Sequence, residues 1–193
     1  VVGGGPAGSF FSFFLLQTAT RVGLDVHVEI YEPKDYSQPG PGGCNMCGGI
    51  VSESLVQLLA TEGINLPPTV VQRGIDSYVL HMDVGSMRID PPGREKRIAA
   101  VHRGAGPRGL LEKQWASFDG YLLALAQKSG ATVVRERVED IAWDEEKPRI
   151  ATKRGTSEPY DLLVFAVGVN SAALRLLEKV GFGYRPPKIT RTA

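Results

Sequence analysis

Six residues near the start, Gly3-Gly4-Gly5-Pro6-Ala7-Gly8, constrain this chain more than any other stretch. Gly3, Gly5 and Gly8 fit the spacing G-x-G-x-x-G, and each glycine has its own task where a buried strand turns into a helix. One permits the tight turn, one lets backbone approach a pyrophosphate, and one allows close packing of helix on strand. Phosphate oxygens then meet the helix N-terminus, where unpaired N–H groups and the dipole favour an anion. Residues 9–17 (SFFSFFLLQ) hold six large apolar side chains directly after Gly8. The run is too short to span a bilayer and predicts a helix buried on most sides against a sheet. Residues 25–31 (DVHVEIY) alternate, with Val26, Val28 and Ile30 on one face, and predict a strand that Glu32-Pro33 ends. Glu32 then stands where a carboxylate can accept both ribose hydroxyl hydrogens of a dinucleotide. Its distance from Gly8 exceeds the usual interval of about twenty residues, which an extra helical turn or loop around residues 17–23 absorbs. Glu29 is the competing acid, but it lies mid-strand on the polar face, so Glu32 is preferred.

The rest of the chain alternates between this layer and another. Residues 38–49 form a loop of glycine, proline and two cysteines, after which Ser52 is placed to N-cap a helix that ends near Gly63. From Ile75 to Val101 helical periodicity is lost, and three strand-like runs (77–82, 86–89 and 97–101) suggest an excursion into a second, antiparallel sheet. Helix signals return over residues 117–128 and stop at Gly130. Residues 131–135 read as a strand, residues 138–143 and 149–153 as a meander. Residues 160–168 (YDLLVFAVG) are a nearly continuous apolar run that suits a central parallel strand covered on both faces. The expected class is α/β, a Rossmann-like βαβ domain with a central parallel sheet and a β-meander plus the beginning of an antiparallel sheet. Residues 1–70 and 108–193 are assigned to the nucleotide-binding domain and 71–107 to the excursion. Two residues precede the glycine turn and residues 186–193 form no closing element, so the sequence reads as a fragment whose C-terminal remainder is absent.

Composition excludes more than it suggests. With 42% hydrophobic and 22% charged residues and a formal net charge of +1, the chain of 193 residues has no global attraction to nucleic acid or an acidic membrane face. Two cysteines cannot build a disulfide framework of the secreted kind. A cytoplasmic protein is expected, with no transmembrane segment.

The turn followed by a strand ending in Glu32-Pro33-Lys34 resembles FAD-binding flavoproteins more than nicotinamide dehydrogenases. Phe118-Asp119-Gly120-Tyr121-Leu122-Leu123, with Ala126 and Gly130-Ala131, resembles the FDxxL…A…GA helix of the geranylgeranyl reductase-like flavoproteins, relatives of the aromatic-ring hydroxylases. Cys47-Gly48-Gly49 is similar to their loop near the flavin, and residues 161–168 to their strand that ends against FAD. The resemblance covers nearly the whole chain. It departs in the long glycine-rich connection of residues 103–109, and the family's later GDAA-type turn lies beyond the last residue. It implies FAD as cofactor; with the glycine turn and the anion-wrapping loop read from the residues themselves, the residues expected to hold it are Gly3, Gly5, Pro6, Ala7, Gly8, Glu32, Pro33, Lys34, Cys47, Gly48, Gly49, Arg103, Arg108, Val138, Ala166 and Gly168. It also implies NAD(P)H as external reductant and a small, lipid-like, isoprenoid substrate, with a peripheral membrane location as an option.

Cys44-Asn45-Met46-Cys47 admits three readings. A redox dithiol beside a flavin would make a disulfide reductase, although those space the pair C-x-x-x-x-C. A zinc site lacks its second pair, so no metal is expected. The plainest reading is a small apolar residue that lets backbone approach the flavin ring, with Cys44 and Cys47 kept as the catalytic candidates. Arg103 and Arg108 lie in a loop able to wrap an anion, or they form a solvated basic turn. His27, His81 and His102 form no ligand or triad pattern. The expected activity is hydride transfer reducing carbon–carbon double bonds. A flavin monooxygenase shares the architecture, and a degenerate nucleotide-binding module is the non-catalytic rival. Oligomeric state is not legible.

Overall fold

The computed structural model describes residues 1–37, 49–90, 98–103, 116–169, 171–180 and 183–185. Two compact units divide the chain, one of Val1–Lys34 with Asp119–Ala193, the other of Asp35–Phe118.

The first unit is built on a parallel sheet. Strand β1 (Glu29–Tyr31) pairs in parallel with β7 (Thr132–Val134), Glu29 opposite Thr132 and Tyr31 opposite Val134. Residues 1–3 lie on the other side of β1 and bridge both Tyr31 and Phe165 in parallel through Val2. The Val2 N–H donates to the Val164 carbonyl at 2.8 Å, and the Ala166 N–H donates to the Val2 carbonyl at 2.8 Å. Among the described residues the order is therefore β7, β1, residues 1–3 and residues 164–166, with β1 and residues 1–3 inside. The apolar run ending at Gly168 does join the parallel sheet, but it is less covered than its composition predicts. Residues 163–167 are half-buried and Leu162 is 62% exposed.

Helix α1 (Pro6–Val22) begins inside the glycine turn rather than after it, with Gly5 as N-cap and Pro6 in its first turn. Proline is suited to that position because its missing N–H would have had no helical partner. The helix ends on Gly23 in the left-handed conformation (φ 69°), whose N–H donates to the Thr20 carbonyl. Its buried stripe is Ser9, Ser12, Phe13, Leu16 and Ala19, and the two serines are fully buried while Phe10, Phe11, Phe14 and Leu15 are half-buried. Aromatic bulk alone mispredicts the buried face, because small residues let the helix approach closely. Each serine hydroxyl is satisfied within the chain: Ser9 donates to the Gly4 carbonyl at 3.0 Å and Ser12 to the Gly8 carbonyl at 2.8 Å. Strand β1 alternates, so Ile30 (fully buried) and Tyr31 face opposite sides of the sheet. Helix α3 (Phe118–Lys128) contributes Leu122, Leu123 and Ala126 to the core of this unit.

Strands β8 (Asp140–Asp144), β9 (Lys147–Thr152) and β10 (Gly155–Thr156) form the antiparallel meander expected from the sequence. Val138, Ile150 and Leu176 of α4 (Leu174–Lys179) cluster with Val2 and Tyr31, so the meander and α4 cover the face that Tyr31 points to.

In the second unit, β2 (Ile50–Ser52), β6 (Ile98–Val101) and β3 (Val71–Ile75) form an antiparallel sheet in the order β2-β6-β3. The Ser52 side chain caps α2 (Glu53–Thr61) by accepting from the Leu55 N–H at 3.2 Å. The three runs read as one sheet separate here. Only the last becomes β6, while β4 (Tyr78–Met82) and β5 (Gly85–Ile89) pair with each other as a hairpin. Strands β2 and β3 escape the sequence pattern for physical reasons. The first has three residues, and the second (VQRGI) buries neither Gln72, Arg73 nor Gly74. Tyr78, Leu80, Met82, Met87 and Ile89 lie on one face of the hairpin, each substantially exposed. Among the described residues no helix is long and apolar enough to cross a membrane.

The fully buried serines of α1 generate a test. Ser12→Leu improves helix propensity by a few tenths of a kcal/mol, yet it forces a large side chain into a filled contact. The net expectation is a loss of about 1–3 kcal/mol, read as a lower urea midpoint. An unchanged or raised midpoint would show that α1 has room to move off the sheet.

Candidate functional site

The glycines of the turn sort by what a side chain would meet. At Gly3 (φ 102°) a Cβ would lie 2.6 Å from the Ala166 carbonyl oxygen, and at Gly8 it would lie 1.9 Å from the Gly3 carbonyl oxygen. At Gly4 it would come within 2.8 Å of the Glu32 Cβ. These three positions require glycine for the protein's own packing. Gly5 differs. Its φ is −71°, which any residue adopts, and nothing lies within 4 Å of the position a Cβ would take. The space in front of Gly5 is open, and α1 starts there with no side-chain cap and no acidic residue in its first turn. The N-terminal N–H groups and dipole of the helix thus lie at the open face of Gly5.

Glu32 is 5% exposed and is held from two directions. The Gly4 N–H donates to its Oε2 at 2.9 Å and the Lys34 N–H to its Oε1 at 2.9 Å. A carboxylate oxygen can accept more than one hydrogen bond, so these contacts orient the group beside the turn without barring ligand hydroxyls. Pro33 and Lys34 are exposed in the loop that follows. Arg135, not singled out from the sequence, reaches this loop: its Nη1 donates to the Lys34 carbonyl at 2.6 Å. The available signal is its place, the first residue after β7, at the carboxyl end of the parallel strands where open α/β sheets bind ligands.

Glu29 is occupied elsewhere. It accepts hydrogen bonds from the Tyr160 hydroxyl and, at 3.2 Å, from the Tyr31 hydroxyl, while His27 Nε2 stands 3.5 Å from its Oε1. Burial opposes its ionisation, but the bonds from Tyr160, His27 and Tyr31 outweigh this and hold the carboxyl below its ordinary value. Tyr160 shifts upward, through burial first and its bond to Glu29 next. The pair fastens β1 to the segment that leads into residues 164–166.

The remaining residues assigned from the sequence are dispersed. Ala166 and Gly168 (φ 75°) stand at the end of the strand beside Gly3. The side chain of Val138 is packed into the core between sheet and meander, which leaves only its backbone for a ligand. Gly49 (φ 67°) is required by its own unit, since a Cβ there would lie 2.1 Å from the Val101 carbonyl oxygen and 3.3 Å from the Cγ of Arg103. Cys44, Cys47, Gly48 and Arg108 lie outside the described residues.

No protein-family model and no curated protein matches the sequence. Solved structures do match the fold. The halogenase PltM in complex with phloroglucinol and FAD superposes with a TM-score of 0.60 at 16% identity, covering 92% of this chain and 35% of that one. The p-nitrophenol 4-monooxygenase PnpA from Pseudomonas putida DLL-E4 gives 0.60 at 13%, covering 91% and 42%. A variant of NikD, an unusual amino acid oxidase essential for nikkomycin biosynthesis, gives 0.52 at 16%, covering 93% and 52%. The chain thus shares the fold of these proteins and spans between about a third and a half of their length.

Two expectations follow for stability. Gly8→Ala should cost about 2–4 kcal/mol because a methyl group cannot coexist with the Gly3 carbonyl, whereas Gly5→Ala should change stability by less than about 1 kcal/mol, the stiffer unfolded chain offsetting the poorer N-cap. Denaturant unfolding of both variants checks the contrast, and equal losses would contradict the open space at Gly5. Glu29, with its carboxyl depressed in the folded state, contributes stability that is present above the ordinary carboxylate range, about 4.3, and is lost as pH falls below it. Tyr160→Phe should therefore lower the unfolding midpoint near pH 7, and the deficit should shrink near pH 3. A deficit independent of pH would mean that Tyr160 acts by packing alone.

Proposed function

We propose that this chain is the FAD-binding portion of a flavin-dependent oxidoreductase. The observation that carries the reading is Gly5. It is the one glycine of the turn whose identity the packing leaves unexplained, and its open face lies at the start of α1, which has no side-chain cap. A pyrophosphate there would use the N-terminal N–H groups, and Glu32, Pro33 and Lys34 would form the adenosine side. Ala166 and Gly168, at the end of the neighbouring strand, would line the path toward the flavin, with Val138 contributing backbone. Cys47, Gly48 and Gly49 are assigned to the flavin by the family resemblance, and Arg103 and Arg108, from their glycine-rich loop, to the pyrophosphate or to an acidic group on substrate. When bound, FAD supplies the hydride-accepting and hydride-donating ring, and the protein supplies position and electrostatics.

The finer reading is reduction of carbon–carbon double bonds in an isoprenoid-like substrate, with NAD(P)H as external reductant. It is supported by the geranylgeranyl reductase-like residues Phe118-Asp119, Leu122, Ala126 and Gly130-Ala131. A second reading, oxygen-dependent hydroxylation or halogenation of a small aromatic molecule, is favoured by the fold shared with PltM and PnpA. In both, the residues of the first unit have one task, which is to hold the dinucleotide and keep its reactive ring oriented.

Gly5 also supplies the test. In the full-length protein Gly5→Ala should keep the unfolding midpoint and lose FAD affinity by about tenfold or more, since a methyl group occupies the space a pyrophosphate needs. Titration calorimetry against FAD measures it. Wild-type affinity in that variant would remove the dinucleotide reading of the turn. Consumption of oxygen with substrate, against its absence under NAD(P)H-driven reduction, separates the two reaction classes.

A further inference from the structure

We infer that Arg135 is a positioning residue for the adenosine end of the ligand, an inference that rests on the dinucleotide reading above. Arg135 is the first residue after β7, and its guanidinium reaches across 101 positions of sequence to the Lys34 carbonyl, 2.6 Å away. The Lys34 N–H donates to Glu32 Oε1, and the Gly4 N–H donates to Oε2. The Glu32 N–H donates to the Val134 carbonyl at 3.0 Å. The carboxyl ends of three adjacent parallel strands are thereby joined in one chain of hydrogen bonds, with Arg135 at its outer end.

The members of this chain are not equally secure. The Gly4 N–H belongs to a turn fixed by the close packing of Gly3 and Gly8. Lys34 lies instead in an exposed loop beyond the strand, where residues 33–35 have no burial to hold them. A cationic donor is a strong tether for a carbonyl, and a guanidinium offers its N–H groups in a rigid fork. Without that tether the backbone at Lys34 is less firmly placed, and the contact of its N–H with Oε1, which helps to orient the Glu32 carboxylate, is weakened. Exposed arginine–carbonyl contacts are commonly incidental. This one lies at the carboxyl ends of parallel strands, where such sheets take their ligands, and it acts on the buried carboxylate beside the turn. The consequence is specific: Arg135 governs how well Glu32 discriminates ribose hydroxyls, and it need not govern how stably the protein folds.

The test uses the full-length protein and titrates FAD, ADP and 2′-deoxy-ADP into the unsubstituted chain, Arg135→Ala and Arg135→Lys. The unsubstituted chain should prefer ADP to 2′-deoxy-ADP by about tenfold, the loss of one hydrogen bond to a charged acceptor. Arg135→Ala should reduce the preference to about threefold or less with its unfolding midpoint unchanged, and Arg135→Lys, which keeps a cationic donor, should restore part of it. Should Arg135→Ala fail to fold, Arg135→Met, which keeps a long apolar stem without a donor, reads the same preference. A preference retained in full by the Ala or Met variant overturns this inference alone. If the unsubstituted protein binds neither FAD nor ADP, the flavin reading falls and this inference falls with it.

Discussion

A single buried hydrogen bond, from the Gly4 N–H to the Glu32 carboxylate, organises the first unit. It joins the turn that opens α1 to the residue that closes β1, and it sets a negative group beside a helix start that favours negative charge. Such a contact is stable only if both ends are held rigidly. The turn is held because Gly3 and Gly8 allow backbone to approach backbone more closely than any side chain permits. The far end is held by the pairing of β1 with β7 and by the Lys34 N–H on the second carboxylate oxygen. Burying a carboxylate is tolerated because such donors replace the water it gives up.

Much of this frame is legible in the order of residues alone. The succession of glycine turn, apolar helix, alternating strand and acid is dictated by local patterns, although α1 extends past residues 9–17 at both ends and only the last three residues of the alternating run 25–31 form β1. Face and position favour Glu32 over Glu29, and Glu29 does turn the other way, into a cluster with Tyr31 and Tyr160. What sequence does not give is the partner of any residue far away in the chain. The fastening of Glu29 by Tyr160 and of Lys34 by Arg135 depends on which strands become neighbours, and periodicity carries no information on that. The buried serines of α1 escape sequence reasoning for a related cause. Hydrophobicity ranks phenylalanine as the buried residue, whereas the requirement at a close helix–sheet contact is small volume with a satisfied hydroxyl.

The second unit shows the same limit in strand pairing. Runs of β-forming residues mark β4, β5 and β6 within a residue or two, yet the expectation that sequential strands share a sheet fails at the last of them. Strand β6 lies instead between β2, which ends where α2 begins, and β3, whose exposed middle residues conceal it. The hairpin of β4 and β5 is closed by Gly85 at φ 134° and makes its own ladder. Its two faces differ in character. Val79, His81, Ser86 and Arg88 lie on one, with His81 and Ser86 joined at 2.7 Å, while Tyr78, Leu80, Met82, Met87 and Ile89 make the other apolar.

The separation of roles among the turn glycines has a consequence for descent. Gly3, Gly4 and Gly8 are under constraint from the architecture whatever the protein does, so their retention in a relative would report only that the fold survives. Gly5 is tied to the architecture by nothing within reach of its missing side chain. A lineage that abandoned its ligand could therefore drift at Gly5 first, while remaining folded and alignable across the rest of the turn. Under the proposed reading of Gly5, that one position, compared between relatives, would distinguish a working descendant from a folded relic.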